Sequence, residues 1–281
     1  MKDPDAVWSE IQSAISKSFA ESFPDRTELL ENLPRLLDLA KEVRLTDDRE
    51  LRTLGLDFLH EASRDLRSCR VLHSKKIYPH AVYHLQQAVE KATKGYVLGF
   101  GWLNKQELAK THDSPRLFMK ALLEKPGIKS WAKHSGSERI KTIIDNAYLA
   151  VDDSERRKEV ALTSYEDITV NLAEIHKFTV IGEQLSQSLI EKLSSIRGVK
   201  AQSSPPLYQA MSAMVTLFGL AAISFPHEAY TRYPDGGITP SQYTTNLGVV
   251  HAALEMAKLL EREIQRLIRL LSDQMKKGEL G

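Results

Sequence analysis

Apolar residues along most of this chain recur every three or four positions, the spacing that lines one face of a helix. Leu51, Leu54, Phe58, Ala62, Leu66, Cys69 and Leu72 form the first stripe, and Tyr78-Pro79 is expected to end that helix, because proline cannot continue the hydrogen-bond ladder. A second stripe follows on Ala81, Leu85, Ala88, Ala92 and Tyr96. Glu90, Lys91 and Lys94 fall outside it, where they can face water or a ligand, and Gly95, Gly99 and Gly101 mark its end. After a linker to Thr111, Asp113-Ser114-Pro115 supplies a cap and a first-turn proline for a short helix carrying Leu117, Phe118, Ala121 and Leu122.

Near the other end, Thr239-Pro240-Ser241-Gln242 reads as a capping box that opens the longest helix. Its stripe runs through Leu247, Val250, Leu254, Ala257, Ile264, Ile268 and Leu271, with Glu261 as the polar interruption, and wants a partner in the same bundle or in a second copy of the chain. Residues 125–200 are more polar, with helical patterns near Ile140–Val151 and Ile168–Ile196, and Ser203-Ser204-Pro205-Pro206 closes them. The first fifty residues read as two short helices broken near Pro24-Asp25. Segments rich in β-branched residues are short and do not alternate, so the fold class expected is all-α.

Composition narrows the class further. With 281 residues, 42% hydrophobic and 27% charged, the chain has the make-up of a folded globular protein. Ala201–His227 contains no Asp, Glu, Lys or Arg, and Leu207–Phe225 is long enough to cross a bilayer. Gln209, Ser212, Thr216 and Ser224 interrupt it, so a buried core helix is the expectation, with no membrane partner. A single cysteine, Cys69, and an acidic N-terminus point to an intracellular, cytoplasmic protein. The net charge of +1 hides an uneven distribution. Residues 1–50 carry seven basic against twelve acidic side chains, whereas residues 60–120 carry eleven against five and hold five of the nine histidines. A basic middle attracts RNA, nucleotide or an acidic protein surface, and the acidic arm is suited to cover it.

Two stretches resemble a known family. Ala62-Ser63-Arg64-Asp65-Leu66, then the run from Tyr78 to Lys94 with its Gln86-Gln87 pair, then Thr111-His112-Asp113 with Leu117, follow the order and spacing of the HEPN domain, a helical nucleotide-binding module. Tyr230-Thr231-Arg232-Tyr233-Pro234-Asp235 is similar to that family's late Arg-Tyr-Pro-Asp turn. The resemblance implies an antiparallel up-and-down helical bundle, commonly a homodimer. Under it, residues 1–50 are an added helical arm, 51–124 the first part of the bundle, 125–204 a helical insertion and 205–281 the second part. Some HEPN proteins are ribonucleases of toxin and defence systems. Others bind nucleotides or partners, often beside a small nucleotidyltransferase. The nuclease members carry Arg followed four to six residues later by His, late in the bundle. Here the histidine after Arg232 is His251, and the one Arg-x5-His, Arg67 to His73, lies on the wrong helix.

Candidate chemistry follows from residue types. Metal-independent ribonuclease chemistry needs a base, an acid and a cation for the phosphorane charge, for which His112, His73, His80, His84 and Arg232 are available, with Arg232 and His112 the candidate catalytic pair. The plainer reading makes His112-Asp113 a helix cap and pairs Arg232 with an acidic neighbour. His80 and His84 have metal-sharing spacing, yet no third ligand follows, so neither metal nor cofactor is expected. Gln87, Glu90, Lys91, Lys94, Asp113, Tyr233 and Asp235 are the candidate ligand-binding residues. The alternative for Glu90 and Lys94 is a solvated i, i+4 pair. The functional expectation is RNA or nucleotide binding in a prokaryotic toxin–antitoxin or defence setting. The alternative is a noncatalytic dimerisation and docking scaffold, for example for a nucleotidyltransferase.

Overall fold

The computed structural model describes residues 45–108, 142, 149–150, 153–176, 205–233 and 238–278. Among these the regular structure is helical, and no strand occurs. Helix α1 spans Arg49–Ser74, α2 Tyr78–Gly99 and the short α3 Lys105–Leu108. Helix α4 covers Ser154–Ala161 and α5 covers residues 165–176. They are followed by α6 (Pro205–Ser224), the short α7 (His227–Tyr230) and the long α8 (Gly248–Gly278).

Asp48 starts α1, its carboxylate accepting the amides of Glu50 and Leu51 at 2.8 and 3.1 Å. Gly55, Leu59, Ala62, Leu66 and Cys69 line its buried face, while Leu51, Leu54, Phe58 and Leu72 sit half-buried beside it. Burial pushes the Cys69 thiol up to about 12, so it stays protonated and serves as packing. The helix stops before the expected proline. The Ile77 amide reaches back to the Leu72 carbonyl and the Lys76 amide to that of His73, both at 2.9 Å, with Lys76 at φ 61°. That is a Schellman stop in which Lys76 takes the left-handed position usually held by glycine. Tyr78-Pro79 therefore opens α2, where the missing proline N–H falls among the amides that have no partner in a first turn.

Helix α2 is the centre of the bundle. The expected stripe is buried, but so are Gln86, Glu90, Thr93 and Lys94. Glu90 and Lys94 thus do not form a solvated face. Gly99 and Gly101 do mark the end of the helix, but Gly95 lies a turn inside it. Gly95 and Gly99 are contact points. A Cβ on Gly95 would lie 2.8 Å from the Gly55 carbonyl oxygen, and one on Gly99 2.7 Å from Leu271. At Gly95 the backbones of α1 and α2 meet directly, whereas at Gly99 the Leu271 side chain of α8 fills the space a Cβ would take. Gly101, at φ 62°, then stops α2 with the hydrogen-bond pattern Lys76 uses for α1.

Helix α6 packs on α2 and α8, and α8 packs on α1 and α2, so the helices flanking residues 125–204 form one up-and-down bundle. Arg70 with Glu261 and His73 with Val250 show α8 running antiparallel to α1. Residues Ser212–Ser224 of α6 are all buried. Among the described residues no helix is long and apolar enough to cross a membrane.

The capping box forms, with Gln242 Oε1 accepting the Thr239 amide at 2.6 Å, but it opens only the 3-10 turn Pro240–Gln242. Tyr243 turns inward to His227, and α8 begins at Gly248, where a Cβ would strike the Thr163 carbonyl. The stripe of α8 is satisfied inside the chain by Val250, Ala253, Ala257, Leu260, Ile264, Leu267 and Leu271. Leu254, expected within it, is exposed, and the buried polar residue is Glu263, held by Arg262 and Arg266, rather than Glu261. The expected short helix after Asp113 and residues 1–44 of the expected arm 1–50 lie outside the described residues.

Candidate functional site

The groove between α1 and α2 carries the most concentrated chemistry. Asp65 on α1 faces His84 and Lys91, which share a side of α2 two turns apart. Its two carboxylate oxygens accept separately, one from His84 Nδ1 at 2.8 Å and the other from Lys91 Nζ at 2.6 Å. A carboxylate can only accept, so Nδ1 bears the hydrogen and Nε2 is the imidazole's remaining acceptor when the ring is neutral. The carboxylate is mostly covered, whereas His84 and Lys91 keep about a third of their side chains in water (30% and 29%).

From His84 the contacts pass to a second part of the chain. The Tyr83 ring meets the His84 ring edge-on at 5.5 Å, and the Arg232 guanidinium lies 5.4 Å from the Tyr83 centroid and 5.5 Å from that of Tyr233. Arg232 is anchored by Nη2 donating to Glu228 at 2.8 Å, the acidic neighbour of the plainer reading. The turn bearing it is fixed from within. Thr231 donates to the His227 carbonyl at 2.8 Å, and His227 Nδ1 meets the Tyr243 hydroxyl at 2.8 Å. Burial lowers the His227 pKa to about 3, which keeps the ring neutral, and raises that of the Tyr243 phenol.

A run of contacts therefore connects Lys91, Asp65, His84, Tyr83, Arg232 and Tyr233. Lys91 and the His84 imidazole share the Asp65 carboxylate, and Arg232 is paired with a second carboxylate, Glu228. Such an edge suits an anionic oxygen ligand, since each cation keeps an exposed portion and is already oriented.

The remaining candidates distribute as follows. Gln86, Glu90 and Lys94 lie inside the bundle, where Lys94 Nζ donates to Glu90 at 2.6 Å and Gln87 donates to Gln86 at 2.7 Å and to Glu90 at 3.4 Å. The Lys94 and Glu90 side chains are 11% and 5% exposed, so this pair is turned away from water. His80 is exposed and does not join His84, and among the described residues no group of three His, Cys, Asp or Glu can hold a metal ion. His73 is bound to the Val250 carbonyl at 3.1 Å and stacks edge-on with Tyr78. His112, Asp113 and Asp235 lie outside the described residues. Asp65 and Glu228 were not singled out from sequence. Asp65 stood within the resembling motif, but its ties to His84 and Lys91 bridge two helices and have no sequence-local signature.

The described residues thus form an all-α bundle in which the early hairpin and the late Arg-Tyr turn meet at one polar edge. Residues 56–179 match the family model of the HEPN domain, so this stretch of the chain is similar to that family. The match takes in most of α1, all of α2 and the helices through residue 176, and so extends past residue 124. No curated protein and no solved structure matches the chain.

Proposed function

We propose that this protein binds RNA or a nucleotide through phosphate oxygens held by Lys91, His84 and Arg232. The carrying observation is the contact run from Asp65 through His84 and Tyr83 to Arg232, which brings basic side chains of α2 and of the turn after α7 onto one edge. Similarity to the HEPN domain favours nucleotide or RNA ligands in general, and the basic excess of residues 60–120 agrees with a polyanion. In this reading Gln87, Glu90 and Lys94 shape the edge without touching ligand, and Arg232 is a binding residue rather than half of a catalytic pair with His112. The late Arg-x4-6-His spacing is missing, so binding without cleavage is the activity proposed.

The wider setting belongs to the same proposal. It is a prokaryotic toxin–antitoxin or defence system in the cytoplasm, with the protein as a homodimer beside a nucleotidyltransferase-type partner. Residues 51–124 and 205–281 would form the bundle, 125–204 an insertion and 1–50 an arm, a division supported by the packing of α1 and α2 on α6 and α8. A pure scaffold docking through the final helix has less to draw on, because the apolar stripe of α8 is used within the chain.

Fluorescence anisotropy with a labelled single-stranded RNA tests the binding site. His84→Ala, Lys91→Ala and Arg232→Ala should each weaken binding, and loss of either permanent cation should flatten the dependence of log affinity on log salt by about 0.7. Total RNA incubated with the wild type should stay intact. Unchanged affinity in all three variants, or RNA cut by the wild type and spared by Arg232→Ala, overturns the reading.

A further inference from the structure

We propose that Tyr233 is a stacking platform for a nucleobase, so that the site takes a nucleotide by its base as well as by its phosphate. This deepens the phosphate-binding reading and rests on it. Tyr233 is 54% exposed, an unfavourable place for an aromatic ring that only fills space. Its ring is also oriented, because the Arg232 guanidinium lies 5.5 Å from its centroid while lying 5.4 Å from that of Tyr83. One cation shared by two rings holds Tyr233 at the end of the polar edge and leaves much of its surface in water.

The order of the contacts makes the two subsites compatible. Arg232 stands between Tyr233 and the Tyr83–His84 pair, so a phosphate taken by Arg232 and His84 leaves the sugar and base of the same nucleotide on the Tyr233 side. Every base has a π face, and a lone tyrosine offers its ring without a hydrogen-bond code. The subsite therefore favours an aromatic base without selecting which one. An exposed tyrosine beside an arginine also suits a protein contact. In that case the ring would add nothing to nucleotide affinity, and the experiment below reads that outcome directly.

The full chain is titrated with AMP and, separately, with ribose 5-phosphate, which keeps the sugar and phosphate but lacks the base, and adenine H2 and H8 shifts are followed by NMR. AMP should bind about tenfold to a hundredfold more tightly than ribose 5-phosphate, with upfield ring-current shifts. Tyr233→Phe should keep both effects. Tyr233→Leu should remove both while leaving ribose 5-phosphate affinity unchanged. Equal affinities for the two ligands in the wild type, or an AMP advantage that survives Tyr233→Leu, overturns the platform. Arg232→Ala separates the two levels: ribose 5-phosphate binding unchanged by it sinks the phosphate reading, whatever Tyr233 does.

Discussion

Arg70 and Glu261 stand 191 positions apart in the chain and join through two parallel hydrogen bonds, at 3.0 and 2.7 Å. The pair ties α1 to α8 at the rim of the bundle. The hydrogen bond from Arg70 holds the Glu261 carboxyl below its ordinary range, so the pair's contribution is present above that range and is lost as pH falls through the lowered value. Both side chains are about a third or more exposed, which screens the interaction. A double-mutant cycle with Arg70→Met and Glu261→Gln, read by urea unfolding at neutral pH, should give a coupling of about 1 kcal/mol or less. The coupling should vanish in acid.

Lys76 and Gly101 stop successive helices with the same backbone pattern, at φ 61° and 62°. Only the glycine adopts that conformation without crowding its own Cβ. The Lys76 side chain is exposed. Lys76→Gly should therefore raise unfolding free energy by about 1 kcal/mol, relief of the left-handed strain exceeding the added freedom of the unfolded chain. A fall in stability on this substitution would show an interaction of the lysine that outweighs the strain.

Gly95 meets the backbone of α1 at Gly55, where its added Cβ would lie 2.8 Å from a carbonyl oxygen and 2.8 Å from Leu59 Cγ. Leu59 can shift, but the carbonyl cannot without moving α1. Although alanine is the better helix former, Gly95→Ala should destabilise by about 1–3 kcal/mol, as overpacking does. Thermal unfolding followed by circular dichroism measures it, and a rise in Tm would mean that α1 and α2 separate more easily than their packing implies.

What could be read from sequence follows a physical divide. The three- and four-residue period exposed the helices and the buried stripe of α2, because burial of one face leaves a local trace. A helix buried on nearly every side leaves a misleading one. Glu90 and Lys94 read as a wet face because their neutralising contact is with each other, inside. Gly95 read as a helix end because its partner, Gly55, lies on another helix. The capping box at Thr239 was correctly read as local chemistry, but the inward turn of Tyr243 toward His227 decided where α8 begins. Arg232 was legible through its motif and Asp65 was not, since the work of Asp65 depends on residues 19 and 26 positions away.

Lys94 and Glu90 give that divide a test. Removing one member of a buried ion pair leaves a desolvated charge behind, whereas removing both leaves a neutral core. Lys94→Met should cost about 3–5 kcal/mol, and Glu90→Gln with Lys94→Met distinctly less. If these residues support the site without entering it, the double variant should keep most of the wild-type affinity for RNA once folded. Complete loss of binding in a folded double variant would place Lys94 on the ligand instead.

His227 makes stability depend on pH through its burial in the fold. Its imidazole is neutral in the fold, with burial lowering its pKa to about 3, against 6.5 for an exposed histidine. Between these values the unfolded chain binds a proton that the folded chain refuses. The free energy of unfolding therefore falls as pH drops below 6.5, by at most about 1.4 kcal/mol per unit, and this contribution levels off near 3. His227→Asn offers a polar group near the Tyr243 hydroxyl without a titrating ring. Its unfolding free energy, lower than wild type at pH 7, should decline less steeply from pH 6.5 to 4.5 when both are followed by urea titration. Parallel curves for the two proteins would mean that His227 takes up its proton inside the fold, and that the turn carrying Arg232 does not depend on a neutral ring at its base.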